Sequence, residues 1–232
     1  MNKQFEIPKP YSEDKDRDIK YFVRTTGDRK FKYNLDYQLL VDKEKKPVES
    51  FIKQLKAISS FDSVLLEDDL KLCRNFKERI EEVIRQYPKD IINFFYAPYS
   101  YFPTHVCKKF FFNQCTYYPK ELTLKIANKM EEIHNSLEEK VQYDVLENMA
   151  LNELGIRHIV YRPCLVQHTD FNTLIQGDIK YRRISPFFID YLEDLNINYE
   201  NASQEFAIRL LNKKMEKEFK RYKLEEKING KL

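Results

Sequence analysis

Glu67, Asp68 and Asp69 follow one another directly after Ser63-Val64-Leu65-Leu66. Four small or apolar residues in a row read as a buried strand. Three carboxylates at its C-terminal end put oxygen ligands at the carboxyl edge of a sheet, where open α/β folds bind ligands. Crowded carboxylates repel one another unless a cation or ordered donors compensate them. The segment therefore reads as a divalent-metal site that also holds a phosphate-bearing ligand. The same acids also suit a helix N-terminus, where negative charge favours the dipole.

His168 is one of four histidines and follows the apolar run that Pro163 initiates. An imidazole that completes a carboxylate-bound Mn²⁺ shell is chemically sensible, although a lone histidine is also commonly a satisfied core or surface residue. His105, His134 and His158 take that second reading. The glycine count excludes other phosphate chemistry. With four glycines there is no GxGxxG and no Walker A sequence, so no glycine-rich loop cradles a phosphate.

The elements that must position these groups alternate along the chain. Residues 19–24 and 37–42 read as strands, Pro47 to Ile58 as an amphipathic helix with apolar residues at Val48, Phe51, Ile52, Leu55 and Ile58, and 64–66 as the strand before the acids. A helix over 76–86 and a strand over 91–95 follow. Alternation of this kind predicts a mainly parallel sheet. Residues 96–118 are crowded with aromatics, of which Phe110, Phe111 and Phe112 suit core packing and Tyr99 and Tyr101 suit an acceptor cleft. Helices are expected at 119–139 and 143–154, a strand at 156–161, a short helix at 187–195 and a long, charge-laced helix from Ser203 to Glu226. The chain thus divides into a polar extension (1–18), a catalytic domain (19–195) and a helical tail (196–232). The tail is either a solvated face or the contact for a homo-oligomer.

Hydrophobic residues make up 42% of the 232 positions, enough for a real core, and the net charge is only +3. That balance gives no global argument for nucleic acid. No apolar run approaches a membrane span and no signal peptide is expected. Cys73, Cys107, Cys115 and Cys164 contain no CxxC pair, which suits free thiols in a reducing, cytoplasmic setting.

Leu66-Glu67-Asp68-Asp69, then Asp144-Val145-Leu146, then Pro163-Cys164-Leu165-Val166-Gln167-His168 occur in that order. In this trio the chain resembles nucleotide-sugar glycosyltransferases of the A-type fold, closest to the N-acetylglucosaminyltransferase IV group and its shorter bacterial and viral relatives. The resemblance covers roughly residues 19–177. It implies a Rossmann-like, mostly parallel sheet with helices on both faces, here with a C-terminal helical appendage. It also implies a Mn²⁺ or Mg²⁺ cofactor and a nucleotide-sugar donor, expected to be UDP-linked. Metal contact falls chiefly to Asp69, with His168 at the ion or the diphosphate. One strand alternates its faces, so not all three acids can reach one ion; Glu67 and Asp68 would face ribose, donor sugar or the groups around the ion's ligands, and Gln167 would contact the nucleotide sugar. Arg24, Thr25 and Arg29 after the first strand and Asp42 at the end of the second would hold the nucleotide, although they equally suit ordinary strand-end polarity. Arg182 and Arg183 are further candidates for the diphosphate. Asp144 would take the acceptor proton in an inverting transfer, with Glu147, one helical turn on, in reserve; Asp144 equally suits a helix cap. The acceptor is a glycan, a protein or a modified DNA base. A non-catalytic carbohydrate- or nucleic-acid-binding protein on the same fold is the alternative.

Overall fold

The structure is a computed structural model and describes residues 8–10, 17–44, 46–96, 104–107, 113–139, 141–168, 185 and 187–197. Its elements are β1 (Ile19–Thr25), β2 (Gln38–Val41), α1 (Pro47–Ile58), β3 (Asp62–Glu67), β4 (Leu70–Leu72), α2 (Phe76–Gln86), β5 (Ile91–Asn93), β6 (His105–Cys107), β7 (Cys115–Tyr118), α3 (Lys120–Ser136), α4 (Tyr143–Glu153), β8 (His158–Val160), β9 (Val166–His168) and α5 (Ile189–Asp194). The segment expected to form a helix from Ser203 lies outside the described residues, as do Tyr99, Tyr101, Phe110, Phe111, Phe112, Arg182 and Arg183.

Seven strands form one sheet in the order β2-β1-β3-β7-β5-β8-β6. β1 pairs in parallel with both β2 and β3, and β5 in parallel with β8. β7 runs against both its neighbours, β3 and β5, and β6 runs against β8. Five strands therefore share a direction and two oppose it. Most strands run one way, as alternation predicts, but β7 and β6 make the sheet mixed. The expected interior position of the strand before the acids holds, since β3 lies between β1 and β7.

Helices cover both faces, and the strand residues sort between them by parity, as the period of two demands. Tyr21, Val23, Val64, Leu66, Cys115, Tyr117, Ile92 and Ile159 join the core built with α2 and α5. Phe22, Leu65, Tyr118, Ile91 and Val160 join the core built with α1, α3 and α4. α1 begins on Pro47, whose missing N–H costs nothing in the first turn, and buries Val48, Phe51, Ile52, Leu55 and Ile58 along one stripe. Burying such a side chain fully is worth about 1.5–3 kcal/mol, so this stripe anchors α1 without help from a cap, and Lys46 makes none. α2 opens after Asn75 at φ +52°, a left-handed conformation that asparagine tolerates better than most residues.

A second, two-stranded sheet pairs β4 with β9 in antiparallel register, Leu70 against His168, Lys71 against Gln167 and Leu72 against Val166. This short ladder fixes the geometry of the site.

Candidate metal and ligand site

β3 ends at Glu67, and Asp68 and Asp69 form the turn into β4. The turn is held from outside. Tyr33 donates its hydroxyl to the Glu67 carbonyl at 2.5 Å and accepts the Leu70 N–H at 3.0 Å. Tyr33 belongs to an aromatic group with Phe31 and Tyr37, ring centroids 5.3–6.0 Å apart, which roots this half of the β1–β2 loop. Burial raises the Tyr33 phenol well above its ordinary value, so it remains a donor throughout the working pH range.

The β4–β9 ladder then delivers His168 to the turn. Its Nε2 lies 3.3 Å from Asp69 Oδ2, and both side chains are almost fully buried. Glu67, Asp69 and His168 offer ligand atoms that all lie within 4.8 Å of one another. Around a Mg²⁺-sized ion with bonds of about 2.1 Å, ligand atoms sit at most about 4.2 Å apart. A small contraction therefore turns this cluster into three sites of one coordination shell. Two carboxylates and an imidazole are a donor set for Mn²⁺ as well as for softer divalent ions. The residues present fit a divalent metal.

Asp68 points elsewhere. Its Oδ2 accepts the Thr25 hydroxyl at 2.5 Å and its Oδ1 the Arg29 guanidinium at 2.9 Å. Arg29 uses the same Nη1 on Asp69 Oδ2, at 2.8 Å. The three acids do split, but along a different line from the expected one: Glu67, expected beside Asp68 at the donor, lies with Asp69 near His168, and Asp68 turns to Thr25. Thr25 also accepts the Gly27 N–H at 2.9 Å and passes its carbonyl to the Asp42 N–H at 2.8 Å. Gly27 takes φ +82° there, where a side chain would be strained.

Glu67 is oriented by Tyr143, whose hydroxyl reaches Oε1 at 2.8 Å. The Tyr143 ring in turn packs with Phe51 at 5.0 Å between centroids. Arg24 lies over both rings, 4.5 Å from the Phe51 centroid and 4.6 Å from that of Tyr143. Its Nε and Nη1 are buried with no hydrogen-bond partner among the described residues. Such a cation is worth about 1–2 kcal/mol to the rings it covers, and its remaining donors suit a ligand acceptor.

Asp144 and Glu147 sit on the same helix in different environments. Asp144 is half-buried in the first turn of α4, its Oδ1 accepting the Val145 N–H at 2.9 Å. The capping position itself belongs to Gln142, which makes no side-chain cap. Glu147 is completely buried and receives hydrogen bonds from Tyr118 at 2.8 Å and from Asn113. Burial pushes its carboxyl up to about 7, against the hydrogen bonds from Tyr118 and Asn113.

Gln167 spends its side-chain amide on structure. Nε2 donates to the Ser185 carbonyl at 2.8 Å and Oε1 accepts the Ser185 N–H at 2.9 Å. This clamp ties β9 to the segment leading into α5. His158 is buried and its imidazole is pushed down to about 4, mainly by desolvation and then by His105, in keeping with a structural role for both. His134 lies on α3 with its Nε2 3.8 Å from Glu49.

Neither a protein-family model nor a curated protein matches the chain. Tyr33, Tyr143 and Phe51 are the site-forming residues that sequence reasoning missed. Only Tyr143 had a local signal, its adjacency to Asp144. Among the described residues no helix is long and apolar enough to cross a membrane.

Proposed function

We propose that this protein is a metal-dependent, inverting glycosyltransferase that moves a sugar from a nucleoside diphosphate sugar to an acceptor hydroxyl. The observation that carries the proposal is the convergence of Glu67, Asp69 and His168 within 4.8 Å at the carboxyl ends of β1 and β3. These are the residues at which the resemblance to A-type glycosyltransferases places the donor and its ion. A sheet edge where strands end and loops begin is the ordinary ligand crevice of open α/β folds.

In this reading Glu67, Asp69 and His168 hold Mn²⁺ or Mg²⁺. The ion supplies Lewis-acid neutralisation of the departing diphosphate. Tyr143 orients Glu67, and the ladder between β4 and β9 orients His168. Arg24 offers its remaining N–H groups to the nucleotide, with Thr25 and Asp42 on the same edge. Asp144 takes the acceptor proton, since its carboxylate is half-exposed on the first turn of α4. Glu147 is enclosed by Tyr118 and Asn113 and has no path to an acceptor, so its part is to hold α4 against β7.

The test is nucleotide release from a panel of nucleotide sugars with Mn²⁺, scored for the wild type and for Asp69→Ala. Release that needs both the ion and Asp69 is the expected result. Absence of release from every donor, with Mn²⁺ bound nowhere near Asp69, would overturn the proposal.

A further inference from the structure

We propose that Arg29 is the resident cation of the acidic turn and competes with the divalent ion for Asp69. This inference rests on the metal reading of the Glu67, Asp69 and His168 cluster. It concerns how that site is kept neutral and what must leave when it fills.

One nitrogen of the Arg29 guanidinium, Nη1, lies 2.9 Å from Asp68 Oδ1 and 2.8 Å from Asp69 Oδ2. Both carboxylates are about 6% exposed, so together they form a desolvated double negative charge that a cation must balance. The oxygen that Arg29 grips, Asp69 Oδ2, is also the one facing His168 Nε2 at 3.3 Å. An ion that Asp69 and His168 share through this oxygen meets Arg29 on it, and one that Asp69 holds through Oδ1 still shares the carboxylate with Arg29. A guanidinium and a divalent cation on one carboxylate oxygen repel strongly where water is scarce. Arg29 therefore weakens the hold of Asp69 on the ion.

The turn keeps contacts of its own that do not involve Arg29. Asp68 retains the Thr25 hydroxyl at 2.5 Å. The Glu67–Leu70 backbone retains both Tyr33 bonds. Arg29 itself belongs to no strand or helix and lies in the loop between β1 and β2, two residues after Gly27. Its side chain is a quarter exposed, so a rotation toward solvent, or toward an anionic ligand at the sheet edge, needs no backbone ladder to break. A guanidinium fork is well suited to accept a phosphate once released.

The experiment is titration of Mn²⁺ alone, without nucleotide, into the full chain, followed by the loss of the free-ion paramagnetic resonance signal. The variants are Arg29→Met, Arg29→Lys and Asp69→Asn. Arg29→Met keeps the apolar stem and removes the competing charge. It should bind Mn²⁺ about tenfold tighter or more, the ratio for losing one charge-assisted hydrogen bond. Arg29→Lys should fall between it and the wild type, and Asp69→Asn should abolish binding. Equal or weaker binding by Arg29→Met, with Asp69→Asn still silent, would overturn the competition and leave the metal site standing. Failure of every form, Arg29→Met included, to bind Mn²⁺ through Asp69 would overturn the competition and the metal reading together. A fluorescence melt of each variant without metal separates a loss of binding from a loss of fold.

Discussion

His168 Nε2 stands 3.3 Å from Asp69 Oδ2 because Leu70 and His168 are direct partners across the β4–β9 ladder. Two segments far apart in the chain each carry a polar group at the end of a short apolar run. Three register pairs are enough to bring those groups to one point. The ladder links the acidic turn to the imidazole, so changes that weaken it should damage the site before they damage the fold.

Asp69→Ala should abolish sugar transfer and greatly weaken Mn²⁺-dependent nucleotide binding. The variant loses the carboxylate shared by His168 and Arg29. Calorimetry with uridine diphosphate and Mn²⁺ measures it, and an unchanged metal-dependent affinity in a folded variant would sink the assignment. His168→Ala keeps both carboxylates, so its loss of affinity should be the smaller of the two.

Tyr143→Phe should weaken Mn²⁺ binding roughly fivefold, the ratio for about 1 kcal/mol of lost hydrogen bonding. The substitution removes only the hydroxyl on Glu67 Oε1. It keeps the ring over which Arg24 lies, so the melting temperature should barely move. A large loss of stability with unaltered metal affinity would mean that the hydroxyl serves the fold and not Glu67.

Asp144→Asn separates a base from a helix-terminal carboxylate. Asparagine can still accept the Val145 N–H but cannot take up a proton at neutral pH. We expect near-wild-type melting and nucleotide affinity, with transfer down at least about a hundredfold. Glu147→Gln should slow transfer less. Transfer by Asp144→Asn at close to the wild-type rate would remove Asp144 from the mechanism.

Glu147 should make stability fall with rising pH. Its carboxyl moves from an ordinary 4.5 up to about 7, chiefly through burial, with Asp144 adding to the rise and Tyr118, Asn113 and Arg24 opposing it. The folded state therefore holds more protons than the unfolded chain between about 4.5 and 7, and unfolding free energy declines across that window. The loss is at most about 3 kcal/mol by the top of it. Glu147→Gln has no proton to lose and should flatten this part of the profile. Urea denaturation at several pH values between 4.5 and 8 reads the slope directly, and an identical slope in both proteins would contradict the assignment.

Local pattern was sufficient wherever a segment buries one face. Val48, Phe51, Ile52, Leu55 and Ile58 share one helical stripe, and α1 runs over Pro47–Ile58, the range that its spacing predicts. α2 likewise covers Phe76–Gln86, because the outward face of a half-buried helix must be polar along its whole length. β7 is the counterexample. All four of its residues, Cys115 to Tyr118, are buried, so no alternation marks it as a strand. Its aromatic surroundings suit core packing or an acceptor cleft. β4 and β9 have three residues each, too few for any period to show.

The sequence by itself determined the acidic turn, the two candidate acids on α4, the lone imidazole after an apolar run and the layered α/β pattern. Each of these is written in residue type and in spacing along one element. Tertiary structure alone decided their partnerships. Glu67 and Asp69 meet His168, Asp68 turns to Thr25, Arg29 spans two carboxylates, and Glu147 is sealed beneath Tyr118 while Asp144 stays near solvent. The physical reason is that strand pairing is a contact between segments remote in the chain. Its register follows from which faces of both strands are buried, and neither strand carries that information alone.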